Sequence, residues 1–439
     1  MSVVSPSQSK LSRGQAAAQY ITKVVGPGIL FASCAIGVSH LVQSTRAGAL
    51  FGFDLLLVIV LANVLKFPFF EYGSRYACAT GHSILWGYRQ QGKWALWLYF
   101  AVTLVSMFTV AAAVTFVCAG LFGYLFDLGP EATPYMAAGA LLFCVAILAA
   151  GQFGLLDNAL KVLAIILTLT TVFATGVLLF NWLGEELGNR TLDFSSSKVF
   201  GLSSLPFLIA LMGWMPTAVD LSAWNSLWTV EKIKQTGYHP TLKETLSEFN
   251  TGYWLSAGLA LCFLTLGALL MYGQDVQLSD SSVGFAGQLI SLYTQAVGSW
   301  IYYIIAIAAA TVMLSTVIAV VDGYSRAMQE TLRLLKSEKN EYKRQSRQGY
   351  RVLLGVVAVG AAIIIFFLTT SLTTLVDFAT ILSFVIAPIV AWLNYRVIRS
   401  PEVKKSHQPG RGMRVLTWLG IIYLSGFTLL YLYYLLILS

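Results

Sequence analysis

The chain has 439 residues, 57% of them hydrophobic and only 11% charged, with a mean hydropathy of +0.72. A soluble domain carries roughly 25% charged and about 45–50% apolar residues, so this much apolar surface cannot be packed into one compact core. The composition describes a polytopic membrane protein whose first partner is the lipid bilayer. The formal charge of +8 is distributed by topology along the chain, so no nucleic-acid partner is expected.

Residues 1–20 are polar and form a tail with no apolar core or cleavage pattern, so no removed signal peptide is expected. Apolar runs long enough to cross about 30 Å of hydrocarbon follow at 25–47, 50–72, 95–123, 134–152, 157–182, 201–228, 252–273, 296–325, 352–370, 375–397 and 413–437. They predict an all-α integral membrane protein of about eleven transmembrane helices. The five cysteines, Cys34, Cys78, Cys118, Cys144 and Cys262, form no CxxC pair, so neither a disulfide framework nor a zinc site is suggested.

Basic residues alternate across the connections. Arg75, Arg89 and Lys93 lie in the second, Lys232, Lys234 and Lys243 in the sixth, Arg326 to Arg351 in the eighth, and Arg396 to Arg414 in the tenth. Odd connections carry Asp127, Glu131, Glu185, Glu186, Asp193, Asp275 and Asp280. The positive-inside rule then predicts a cytoplasmic N-terminus and an outside C-terminus, and a bacterial inner membrane is the expected location of this multi-pass protein. The basic stretch from Lys336 to Gly349 reads as a cytoplasmic loop obeying that rule, with lipid binding as the competing reading.

Two runs contain breaks. The first has Gly26-Pro27-Gly28 and then Gly37-Val38-Ser39-His40, and the sixth has Gly213-Trp214-Met215-Pro216-Thr217. Proline removes a backbone donor and glycine tolerates non-helical angles. At membrane depth the freed groups must line a cavity or meet a ligand. Interruptions at matched places in two halves point to the binding site of a secondary transporter, and helices one and six are spaced as an inverted repeat requires.

Gly26-Pro27-Gly28-Ile29-Leu30, the four-residue interruption and Ala47-Gly48 resemble the first helix of the Nramp family of divalent-metal transporters, and Met215-Pro216 falls on that family's Met-Pro-His motif. The resemblance implies a LeuT-type fold of two inverted five-helix repeats, about 24–183 and 200–397, with helices one and six discontinuous. The transport core would occupy 21–397 and an extra C-terminal helix 412–439. It also implies alternating access around a central site. The departures are specific. Asp-Pro-Gly-Asn is replaced by Gly37, Val38, Ser39 and His40, the motif histidine by Thr217, and a further histidine by Ser222. The helix-three acids and the helix-nine arginines of the family are absent from 95–123 and 352–370.

A carboxylate about 4 Å from a divalent ion supplies on the order of 8 kcal/mol of gross attraction at an effective permittivity near 20. With Gly37 in that place the term is lost. The remaining donors are neutral: the Met215 thioether, the Ser39 and Thr217 hydroxyls, the His40 imidazole and unwound carbonyls. Such a set suits an uncharged or zwitterionic solute or a monovalent cation better than dehydrated Mn²⁺ or Fe²⁺. His40 is expected either to meet a substrate oxygen and carry coupling protons or to cap the break, and Asp220 to hold a coupling cation or proton or to face a vestibule. Gln43 and Arg46 follow the break toward the outer face, where they would contact a carboxylate substrate or simply line a vestibule. Lys66 with Glu71, and Asp322 with Arg326, read as snorkelling or gate-like charges near inner ends, and Cys34 as a small buried hydrophobe.

The sequence therefore predicts a monomeric, non-enzymatic Nramp-related secondary transporter of a small polar solute or a non-canonical cation. Substrate would be bound by Gly37, Ser39, His40, Gln43, Met215, Thr217 and Asp220. No cofactor is expected, and H⁺ or Na⁺ is the coupling ion. The alternative is a divalent metal transporter with a site rebuilt from His40, Met215 and Asp220.

Overall fold

The computed structural model describes residues 23–24, 26–151, 153–186, 201–274, 278–336, 346–369 and 371–438. The tail at 1–20 and most of the basic stretch at 336–349 lie outside them, as do Asp193 and Asp275. Among the described residues the regular structure is helical throughout. The first apolar run folds as α1 (Pro27–Ala35) and α2 (Thr45–Phe51), joined by a wide helical segment at Ser39–Ser44. The next helices are α3 (Leu56–Thr80), a short α4 (Ile84–Gln91), α5 (Lys93–Leu125), α6 (Thr133–Ala150) and α7 (Phe153–Glu186). The sixth run gives α8 (Leu205–Gly213) and α9 (Leu221–Thr236). Then come α10 (Leu242–Leu270), α11 (Ser282–Val297), α12 (Tyr302–Lys336), α13 (Arg347–Phe367), α14 (Leu372–Ile398) and α15 (Arg411–Tyr433).

Among the described residues, nine helices are long and apolar enough to cross a membrane, and the pair around Ile36–Val38, bent by 41°, makes a tenth. The sixth run is split into pieces each shorter than a span. The first break therefore falls at 36–38, so Ser39 and His40 lie in the widened turns beyond it. The second runs from Trp214 to Asp220, longer than the expected 213–217.

Two short helices were not legible as elements. α4 and α11 are too short to span, and their apolar residues read as parts of connections. α10 begins ten residues before the expected 252, at a capping box in which Thr241 N–H donates to Glu244 Oε2 at 2.7 Å and Glu244 N–H to Thr241 Oγ1 at 3.3 Å.

Burial sorts the helices into two rings. In their most apolar stretches α3, α5 and α10 are 61% buried and α12 78%, whereas α6, α13 and α15 reach 28% and α7 22%. The first set surrounds the broken helices and the second faces outward. Contacts also gather the basic connections at one end. Arg75 Nη1 donates to the His407 carbonyl at 3.1 Å, Arg89 Nε to the Leu334 carbonyl at 3.1 Å, and Arg351 Nη2 to the Ala149 carbonyl at 2.9 Å. At the opposite, acidic end the Leu372 N–H donates to the Asp280 carbonyl at 2.8 Å.

Candidate functional site

The two breaks meet around a cavity of about 20 Å³. Cys34, Val38 and Ser39 line it from helix one, and Trp214, Thr217, Ala218 and Leu221 from helix six. Val110 and Val114 of α5 and Val320 of α12 close the far wall. That space admits roughly one water molecule. Among the described residues its lining offers neutral hydroxyl, thiol and indole side chains and no acidic or basic one.

Each expected site residue has a definite place. Gly37 packs against Thr316, and a β-carbon there would lie 2.8 Å from Thr316 Cγ2. Ser39 lines the cavity while its Oγ donates to the Ala35 carbonyl at 2.5 Å, tying the break together. His40 turns toward α10: Nε2 lies 2.8 Å from the Ser256 carbonyl and 3.1 Å from Ser256 Oγ, and Nδ1 2.8 Å from Ser39 Oγ. Both ring nitrogens are thus engaged within the protein and the ring is fully buried, its backbone partner belonging to α10 and not to the break. Met215 follows the same pattern, its sulfur accepting from Ser44 Oγ at 3.9 Å. It joins the next residue, Pro216, through a cis peptide bond. Thr217 lines the cavity.

Gln43 belongs to a separate polar cluster on the acidic-end side. Its Nε2 donates to Asp377 Oδ1 at 2.8 Å, and its Oε1 accepts from Arg46 Nη1 at 3.0 Å. Asp220 is buried at the head of α9, beside the hydroxyls of Ser106 on α5 and Tyr324 on α12. Its Oδ2 has no hydrogen-bond partner among the described residues. His40, Met215 and Asp220 therefore face three different neighbourhoods, and the described residues contain no group of three His, Cys, Asp or Glu side chains able to hold a metal ion.

Two residues gain roles the sequence did not convey. Lys66 does not snorkel to an inner end. It is fully buried, and its Nζ donates to the carbonyls of Met212, Gly213 and Thr217 at 3.0, 2.9 and 2.9 Å. Its signal was a lone lysine in an apolar run, without any indication of where it pointed. Asp377, at the start of α14, pairs with Arg46 across more than 300 positions of chain, which spacing cannot reveal. Glu71 pairs with Arg75 at 2.6 Å rather than with Lys66, and Arg326 meets Asp322 at 2.7 Å, each pair lying within one helix. Asp322 also accepts from Trp228 Nε1 at 3.1 Å and Tyr350 at 2.5 Å, so it joins α9, α12 and α13.

The family model for natural resistance-associated macrophage protein-like (Nramp) sequences matches residues 28–434. The chain is 35% identical over 412 residues to "Uncharacterized protein PM0681" of Pasteurella multocida (strain Pm70), covering 93% of this chain and 91% of that one. Among solved structures it is similar to a variant of the Eremococcus coleocola manganese transporter, with a TM-score of 0.66 and 13% identity over 97% of this chain and 89% of that one. MhsT in complex with L-phenylalanine is also similar, with a TM-score of 0.52 and 11% identity over 92% and 97% of the two chains. These neighbours establish the LeuT-type fold, and nearly the whole length of the sequence follows one family pattern. The chain is a membrane transporter and belongs to the Nramp family.

Proposed function

We propose that this chain is a secondary transporter whose central site has been altered from a transition-metal site to one for a small polar solute or a weakly coordinated cation. The observation that carries the reading is the lining of the cavity between the two breaks, which among the described residues contains hydroxyl, thiol and indole groups and no anion. Dehydrating a divalent first-row ion requires hard anionic or multiple strong donors, whereas neutral hydroxyl, thiol and indole groups match a neutral or zwitterionic cargo. Alternating access would run between the pseudo-symmetric halves, about 24–183 and 200–397. Asp220, buried among Ser106 and Tyr324, is the candidate for a coupling H⁺ or Na⁺. The clustering of basic connections at one end supports a cytoplasmic N-terminus and an outside C-terminus in a bacterial inner membrane. We take the working unit to be a monomer.

Calorimetric titration with Mn²⁺ tests this, together with a thermal-shift screen of amino acids, vitamins, organic acids and metals. The expected result is a stabilising neutral or zwitterionic solute and no Mn²⁺ heat. Micromolar Mn²⁺ binding abolished by Met215→Ala would overturn it. Divalent metal transport is the second reading, favoured by family membership and by the manganese transporter among the structural neighbours. It predicts Mn²⁺ or Cd²⁺ uptake into proteoliposomes that depends on His40, Met215 or Asp220.

A further inference from the structure

The helix-six break carries a second feature, distinct from the cavity lining. α8 ends at Gly213, so the Gly213 carbonyl lacks its i+4 partner, and the Met212 carbonyl accepts only from the end-turn N–H groups of Trp214 and Met215, the latter at 3.4 Å. They also carry the partial negative charge of its C-terminus. The Thr217 carbonyl, from the unwound segment, points to the same spot. In the bilayer interior such a cluster needs a cation or a strong donor, and carbonyls of unwound segments and half-helix C-termini are the groups with which transporters coordinate monovalent ions. Here the cluster is filled from within. Lys66 reaches across from α3, and its three N–H bonds go to these three oxygens. An ammonium has three donors and no acceptor, so its capacity is saturated. Asp220 lies within electrostatic reach of the same nitrogen.

We propose that Lys66 is a tethered cation: its ammonium occupies a backbone carbonyl cage at the helix-six break that, without it, binds a small monovalent cation. The inference stands on the Lys66 geometry alone and is independent of the cargo. A fixed positive charge at the break thereby takes the place of a free ion in that cage.

The test uses the full chain purified in detergent, with thermal unfolding followed in NaCl, KCl, methylammonium chloride and choline chloride at equal ionic strength. Wild type should melt at the same temperature in all four. Lys66→Ala, which vacates the cage, should melt lower in choline and rise by at least ~3 °C, saturably, with Na⁺, K⁺ or methylammonium. Lys66→Met fills the space without a charge, so it should melt below wild type and show no cation response. The proposal is overturned if folded Lys66→Ala shows no cation-specific response, or if wild type responds equally. Should Lys66→Ala fail to fold in any of the four salts, Lys66→Met decides: a melting temperature equal to that of wild type overturns the proposal, and a lower one supports it.

Discussion

Arg46 and Asp377 meet on the acidic-end side of the cavity in a two-point contact, Nη1 to Oδ1 at 2.6 Å and Nη2 to Oδ2 at 3.1 Å. The pair joins α2 to α14, the helix whose Ser383 accepts from the cavity residue Trp214 at 2.8 Å. Ser39 and Arg46 are seven positions apart on one helical stretch, which places the pair about 10 Å from the cavity along the axis. The guanidinium also lies over the Phe207 ring at 5.1 Å. Arg46 is 8% and Asp377 29% exposed at the side chain, so the contact is only partly shielded from solvent.

That geometry predicts control of access. A hydrogen bond to a charged group contributes about 1.5–3 kcal/mol, so losing the pair should raise opening on this side roughly ten-fold or more. Cys34 lines the cavity and reports on it. With Cys78, Cys118, Cys144 and Cys262 replaced by alanine, Asp377→Asn should speed alkylation of Cys34 by a membrane-impermeant reagent about ten-fold. An unchanged rate would show that the pair does not hold this side closed.

What could be read from the sequence, and what could not, follows from the range of each interaction. Gly37 and the Gly213 to Pro216 run announce the two breaks because glycine and proline act on their own backbone. The extension of the first break through wide turns to Ser44 depends on side chains such as His40 docking against Ser256 on α10, and no local signal encodes that. Lys66 was visible as a charge in an apolar run and read as snorkelling, not as a ligand of Met212, Gly213 and Thr217, since the partners are backbone atoms of a distant helix. Asp377 gave no signal because its partner Arg46 lies at the other end of the chain.

Restoring an aspartate at position 37 is predicted to fail by itself. A β-carbon at Gly37 would approach Thr316 Cγ2 to 2.8 Å and Oγ1 to 2.9 Å. Thr316 cannot swing aside freely: it is β-branched, and its hydroxyl donates to the Ser33 carbonyl at 2.9 Å. Overpacking of this kind costs about 1–3 kcal/mol. Gly37→Asp should therefore lower the melting temperature, and Gly37→Asp with Thr316→Ala should recover most of the loss. A single variant as stable as wild type would refute the steric account.

The basic-end side of the cavity is held differently, through the N-terminus of α1. Glu248 on α10 accepts from Gly26 N–H at 2.9 Å and Gly28 N–H at 2.7 Å through the same oxygen, Oε1. The carboxylate thereby satisfies donors that α1 cannot pair internally, and its charge faces the positive end of the helix. The backbones touch alongside it, since a β-carbon on Gly252 would lie 2.3 Å from the Gly28 carbonyl oxygen. Removing the carboxylate in Glu248→Ala leaves two donors without their acceptor, at a cost of about 1–3 kcal/mol, while the close Gly28–Gly252 contact persists. The expected outcome is a local loosening. Amide hydrogen exchange across 27–35 should speed up roughly ten-fold, with 259–268 of α10 unchanged. Glu248→Gln keeps an oxygen acceptor but loses the charge, so it should fall between wild type and alanine, short of wild type by about 0.3–1 kcal/mol. Exchange across 27–35 that is unmoved in Glu248→Ala would mean that helix packing alone, and not the carboxylate, anchors α1.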